Sequence, residues 1–297
     1  MNNLARSSEA VNTFYDALQT VGTAPSSPSA LVADGLIHRH HIEGDNPGSL
    51  NGWHVLHLDS PASGAGGSWK AGHSVKWCSK RQSALTASER AEIARRITED
   101  KRRAQEATEA RHRDAAARAP RVWNQSQPAS PAHPYLVRKG IAPGIARQSG
   151  ASLVLPVQDF TGQLWGLQFI QPDGSKRFIS GMAKKGHFIP TGGNPEDTRP
   201  LWITEGHATA ATIQAMRPEV CTIAACDAGN LLSVATEARR RWPSVSLVVC
   251  PDFDAIGRQK GQEAAEKAHA KILPPPERIP EGATDWNDWA NHRREVA

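Results

Sequence analysis

Between Leu201 and Asp288, short apolar runs take turns with helix-prone ones, and few folds accommodate that order. LWIT precedes EGHATAATIQAM, CTIAAC precedes DAGN and LLSVATEARRRW, and SLVVC precedes PDFDAIG and QKGQEAAEKAHAKIL. The apolar runs do not alternate, as expected of strands buried on both faces. Strands alternating with helices imply βαβ units and a parallel sheet. In such sheets ligands bind beyond the carboxyl ends of the strands. Glu205, Asp252 and Asp254 fall at those ends, and TDWNDWA adds Asp285 and Asp288. Converging carboxylates repel unless they are protonated or neutralised by cations. Hard oxygen ligands suit Mg²⁺ or Mn²⁺. Taken singly, each acid would serve equally as a helix cap or a surface turn; their order along the chain favours convergence.

Strand-Glu-Gly-helix, then strand-Asp-x-Asp-x-x-Gly (Asp252, Asp254, Gly257), resembles the Toprim fold of DnaG-type primases, topoisomerases and related nucleases. TDWNDWA is similar to the third acidic station of phage and plasmid primases, and AACDAGNLLSVA resembles the intervening segment of conjugative-plasmid primases of the TraC type. The resemblance implies a DNA primase, a nucleotidyltransferase making short RNA primers on a single-stranded DNA template from ribonucleoside triphosphates. It would serve replication or conjugative transfer of a mobile element, with a replicative helicase or a conjugation protein as further partner. Asp252 and Asp254 would hold Mg²⁺ or Mn²⁺, with Asp285 or Asp288 completing the outer part of the site. Glu205 would bind metal or assist proton transfer. Gly206 would let the backbone turn close to the site, and Gly257 would end the acidic loop. His207 would contact a phosphate or pack at the helix start. A Toprim nuclease uses the same carboxylates with water as nucleophile, and a non-enzymatic single-strand-binding protein would keep the tryptophans and arginines. A topoisomerase needs a nucleophilic tyrosine, and neither Tyr15 nor Tyr135 has that context.

Ahead of this lies SLVLPVQDFTGQLWGLQFIQPDGSKRFI, with alternating β runs and turns at FTGQ and PDGS. It resembles the subdomain that precedes Toprim in primases and supplies a basic surface. Lys176, Arg177, Lys184 and Lys185 are the candidates for nucleotide and template contact; solvated turn residues are the alternative. A triphosphate approaching a site full of carboxylates needs cations beside it.

The N-terminal part differs in texture. VNTFYDALQTVG places Val11, Phe14, Leu18 and Val21 at helical spacing. ADGLIHRHHIEGD, NGWHVLHLDS and GSWKAGHSVKWCSK are expected as strands joined by glycine turns. Their histidines fit no standard zinc spacing, so surface or nucleic-acid contacts are the preferred reading over metal. Trp53, Trp69 and Trp77 would stack on bases or fill the core. TASERAEIARRITEDKRRAQEATEARHRDAAARA opens with a T-x-x-E capping signature and is expected as one solvated helix. The alternative is that its arginines track a phosphate backbone. A Pro-rich loop from Pro120 to Pro134 follows. The expected organisation is an α/β Toprim domain at 199–297, a mixed α+β basic subdomain at 135–198, a charged linker helix and loop at 85–134, and a β-rich module at 1–84.

The 35 Lys+Arg against 30 Asp+Glu give a mild basic excess of +5, compatible with nucleic acid. The four cysteines show no Cys-x-x-Cys pair, against a zinc ribbon and for a reduced, cytoplasmic protein. No run reaches transmembrane length, the N-terminus lacks a signal-peptide core, and no Walker A motif is present.

Overall fold

The structure is a computed structural model describing residues 3–196 and 198–295. The outermost residues of the first and last expected segments, 1–2 and 296–297, and position 197 lie outside the described residues. The chain divides into two compact units, Met1–Ala107 and Thr108–Ala297, and the division falls inside one long helix.

In the first unit, helix α1 (Asn3–Thr20) packs Phe14 and Leu18 against an antiparallel sheet. Its strands run in the order β1 (His38–His40), β2 (Gly52–His57), β3 (Ser63–Ser68) and β4 (Ser74–Cys78). β3 reads SGAGGS and is not among the expected strands; of the expected run GSWKAGHSVKWCSK, the first two residues end β3, a turn follows, and Ser74–Cys78 form β4. Glycine decides the matter by close approach. A Cβ on Gly66 would sit 2.5 Å from Leu18, and one on Gly64 2.7 Å from the Val55 carbonyl. The helix therefore lies directly on a strand without side chains in the way.

Helix α2 (Ala87–Gln125) runs through Pro120, beyond the expected end at Ala119. Its start is the capping box the sequence announces: Thr86 N donates to Glu89 and Glu89 N donates to Thr86 Oγ1. It is not solvated throughout. Ala115 and Ala119 are fully buried with Val154 and Leu167, so alanines form the contact face of a helix that otherwise looks bare. Arg95, Arg96, Arg102 and Arg103 are paired with Glu92, Glu99 or Glu106 along the helix.

In the second unit, an antiparallel sheet is formed in order by β5 (Gln127–Pro128), β6 (Arg147–Ser149), β7 (Ser152–Gln158), β8 (Leu164–Ile170) and β9 (Lys176–Phe178). The two expected turns join β7 to β8 and β8 to β9, with Gly162 and Gly174 at positive φ. Helix α3 (Pro134–Lys139) ends on a left-handed Gly140. One face of β7 and β8 meets α2; the other joins a core with Ala224 of the second sheet and Ala208 of a helix packed on it.

That second sheet is ordered β10 (Ile189–Pro190), β12 (Cys221–Ala224), β11 (Leu201–Thr204), β13 (Leu247–Cys250), β14 (Lys271–Ile272). The last four are parallel and β10 is an antiparallel edge. The helices are α4 (His207–Met216), α5 (Ala228–Arg241), α6 (Ala255–Lys267) and α7 (Trp286–Glu295). The run expected as one helix to Leu273 stops at Lys267, because Lys271 and Ile272 pair with Val248 and Val249. Thr204 stands opposite both Ala224 and Cys250. This register brings the ends of three parallel strands level, so whatever follows them emerges at one edge. No helix among the described residues is long and apolar enough to cross a membrane.

Candidate active site

Glu205 follows β11 directly and is buried, and its Oε1 accepts from Asp252 N at 3.0 Å. This bond ties the first acidic station to the second. Thr204 Oγ1 donates to the Gly206 carbonyl at 3.0 Å and tightens the turn into α4. Gly257 is required by space: a Cβ there would lie 2.6 Å from Glu205 Oε1. Asp254 caps α6 by accepting from Gly257 N at 2.7 Å, and stays exposed.

Asp252 is the most perturbed acid. Burial, then the charges of Glu205, Asp285 and Asp254, push its pKa up to about 8, against a pull downward from Lys176. Its Oδ1 is buried without a hydrogen-bond partner. Glu205 is raised as well, by burial first and by Asp254, Asp227 and Asp285 next, with the Asp252 N–H opposing. Asp227, after β12, is thus a further carboxylate of the group; it also caps α5 and pairs with Lys184.

The third station arrives through Phe253 N, which donates to the Thr284 carbonyl at 2.7 Å, and through Trp286, whose ring meets Phe253 edge-on at 5.4 Å. Asp285 faces the centre electrostatically, while Asp288 accepts from Thr284 and pairs with Lys139 at 2.9 Å. Between them sits Asn287, fully buried, donating to the Lys139 carbonyl at 2.7 Å and to Thr212 Oγ1 at 2.8 Å. Asn287 joins α3, α4 and α7, and the sequence reading passed over it.

The basic candidates separate. Lys176 Nζ lies 4.0 Å from where a Gly206 Cβ would be, above the turn after β11. It keeps accessible surface, yet the protein packed around it and Lys139 lower its pKa, offset by Asp252 and Asp285. Arg177, its strand neighbour, must point to the opposite face and lies over Phe169. Lys184 is engaged with Asp227, and Lys185 lines a separate cavity with His187 and Arg240. His207 is buried in the first turn of α4 with neither ring nitrogen bonded; burial and then Lys176 lower its pKa to about 4. Asn230, also missed, donates to the carbonyls of Lys184, His187 and Ala225 and accepts from Gly186 N, so it shapes the Lys184–His187 loop.

Among the described residues no three His, Cys, Asp or Glu side chains already close around one metal position. The donor set nevertheless fits a divalent cation. An orphaned carboxylate oxygen amid other carboxylates, at the ends of parallel strands, is the arrangement a hard cation relieves.

Residues 200–295 match the sequence profile of the Toprim domain. They form a Toprim domain. Two curated proteins, both DNA primase TraC from Escherichia coli, resemble the chain beyond it. One is 32% identical over 278 residues, 88% of this chain and 26% of that protein. The other is 33% identical over 286 residues, covering 88% and 19%. The chain thus spans about a quarter or less of these relatives. Among solved structures, the primase fragment of the bacteriophage T7 primase-helicase overlaps 54% of this chain and 71% of its own, at 17% identity and a TM-score of 0.41. In this Toprim domain Glu205 and Asp252, two of the three acids whose order along the chain suggests convergence, are joined by a hydrogen bond.

Proposed function

We propose that this chain synthesises short RNA primers on single-stranded DNA by nucleotidyl transfer, as the primase portion of a protein serving replication or conjugative transfer of a mobile element. One observation carries it: a half-buried Asp252 carboxylate with one buried, unpartnered oxygen, among the charges of Glu205, Asp254 and Asp285 and close to that of Lys176. The TraC-named relatives support the reaction type.

In this reaction the 3′-hydroxyl of one nucleotide loses its proton to solvent, its oxygen bonds to the α-phosphorus of the next, the bond from that phosphorus to the α,β-bridging oxygen breaks, and pyrophosphate leaves with the electron pair. Glu205 and Asp252 would hold Mg²⁺ or Mn²⁺, with Asp254 or Asp285 as further donor. Such a cation, when bound, lowers the pKa of the attacking hydroxyl and neutralises the leaving phosphates. Lys176 supplies positive charge over the β11–α4 turn, where triphosphate oxygens would otherwise meet carboxylates. Gly257 keeps the space in which Glu205 and Asp252 approach. Asn287 holds α7, and hence Asp285, against α3 and α4.

The test gives the chain single-stranded DNA, four ribonucleoside triphosphates with one labelled, and Mg²⁺ or Mn²⁺, beside Asp252→Ala. Short labelled products from the wild type alone support the proposal. Cutting of template without synthesis replaces it with a nuclease, and neither activity with either metal leaves a strand-binding protein.

A further inference from the structure

The first unit contains a cavity of about 790 Å³ between the sheet and the N-terminal half of α2. Its floor is the face of β3 carrying Ser63 and Ala65, which stand beside His57 and Val55 of β2 and Cys78 and Lys76 of β4. Ile93 and Ile97 of α2 form the opposite wall. The small residues of β3 leave the space between strand and helix unfilled, and the volume lies in the range of ligand pockets.

Two features give this space a chemistry. Trp53 and Trp69 meet at its edge with ring centroids 5.5 Å apart, and Trp69 is 60% exposed, far more than a core indole. The charged lining residues are Lys76, Lys80, Arg96, Lys101 and a single carboxylate, Asp100. Asp100 is occupied by His57 at 2.7 Å, whereas Lys76 and Lys101 have no ion pair among the described residues. An apolar slot with an exposed indole resting on a half-buried one, and with ammonium groups outside any ion pair among the described residues, suits a ligand with flat rings and a negative backbone.

We infer that this cleft binds single-stranded DNA, with unstacked bases on Trp69 and Trp53 and phosphates near Lys76 and Lys101. A strand is favoured over a free nucleotide because the indoles stand at the open edge while the free lysines lie on separate elements, β4 and α2. Aromatic platforms beside a cationic track bind single strands with little sequence preference. The inference deepens the proposed function and rests on it only in that the strand would be the template.

The experiment is strand binding by the full chain in EDTA, read by fluorescence anisotropy of a labelled oligothymidine, with a duplex and thymidine triphosphate as competitors. Trp69→Ala should weaken strand binding about tenfold, within the range of one lost base stack, and Trp69→Phe should restore most of it. Lys76→Ala with Lys101→Ala should weaken binding and flatten its salt dependence. Strands carrying 5-iodouracil should photocrosslink to Trp53 or Trp69 in the wild type. Undiminished affinity in Trp69→Ala and in the double lysine variant overturns the inference, as does triphosphate or duplex competing as well as unlabelled strand. The two readings fail separately. Primer synthesis with Trp69-independent binding removes the cleft and keeps the function; Trp69-dependent binding without any synthesis by the wild type does the reverse.

Discussion

Asp252 in the second unit and His54 in the first are both drawn out of water, and both have strongly displaced pKa values. Their partners differ completely. His54 Nε2 accepts from Val32 N at 3.1 Å, its Nδ1 faces His40 Nδ1 at 3.2 Å, and His40 Nε2 meets the Thr23 carbonyl at 2.8 Å. Only one neutral assignment satisfies all three: His40 donates to Thr23 and His54 donates to His40. Every polar atom of the two rings is used within the fold. Asp252 Oδ1 has no partner and has like charges around it. A displaced pKa is therefore common to a structural and a candidate catalytic group. The unmet hydrogen-bonding capacity distinguishes them, and it lies in the acidic centre.

The comparison breaks first at Asp252. Replacement by Asn should reduce primer synthesis about a thousandfold or more, the scale of losing a main electrostatic contributor. Without metal the same variant should be more stable than the wild type near neutral pH. A carboxyl raised to about 8 in the fold and near 3.8 in the unfolded chain costs stability as pH rises between those values. Added Mn²⁺ should raise the melting temperature of the wild type and not that of Asp252→Asn. A variant equally stabilised by Mn²⁺ would move the cation elsewhere.

At His54 the sign is opposite. Burial, then the charges of His40 and His38, lower its pKa from 6.5 to about 4. The unfolded chain binds the proton more readily, so the His54 contribution is intact above about pH 6.5 and is lost as pH falls toward 4. Its scale is at most about 3 kcal/mol. Urea unfolding of the wild type and His54→Gln from pH 7 to 4 should give curves that converge on acidification. Parallel curves would mean that the relay is not the acid-sensitive element.

Gly257→Ala sharpens the claim that Glu205 and Asp252 work as a unit. The added methyl would meet Glu205 Oε1 at 2.6 Å and the Asp252 carbonyl at 3.0 Å, and must displace one of them. Displacement of a reacting group by a fraction of an ångström to an ångström should cost primer synthesis about tenfold to a hundredfold. Gly257 has no positive φ, so the change carries no backbone strain, and any fall in melting temperature reports the methyl contact alone. Wild-type rates would show that Glu205 tolerates movement and is not held for catalysis.

How far the sequence was legible follows from the same physics. LWIT coincides with β11, and β13 and the acidic turn after it lie where the unalternating run placed them, because the pattern of a doubly covered strand is local. The meeting of Glu205 with Asp252 was readable from motif order. Asn287, Asn230 and Asp227 were not singled out, because their importance lies in carbonyls and lysines far along the chain. Position offered some signal, since Asn287 sits inside the DWND run and Asp227 follows a strand. β3 was invisible because SGAGGS has the composition of a turn and is a strand only through its neighbours. The histidines of the first unit suggested surface contacts or metal; a buried relay needs both rings and two distant backbone groups to be seen at once.

The smallest effect expected is on α2, where many charges have many partners and little depends on them. Glu99 bonds Arg102 and Arg103, and these pairs hold its carboxyl well below the usual range, near 2. All three side chains remain in contact with water, where salt screens the attraction and ordering long side chains offsets it. Glu99→Ala should leave the melting temperature unchanged within error, while Ala115→Leu, on the same helix but fully buried beside Val154, should lower it measurably by overpacking. The contrast tests whether α2 is held by its alanine face or by its ion pairs. A Glu99→Ala loss as large as that of Ala115→Leu would transfer the structural weight of the helix to its charges, and would make Asp252 less exceptional as the place where electrostatics matters.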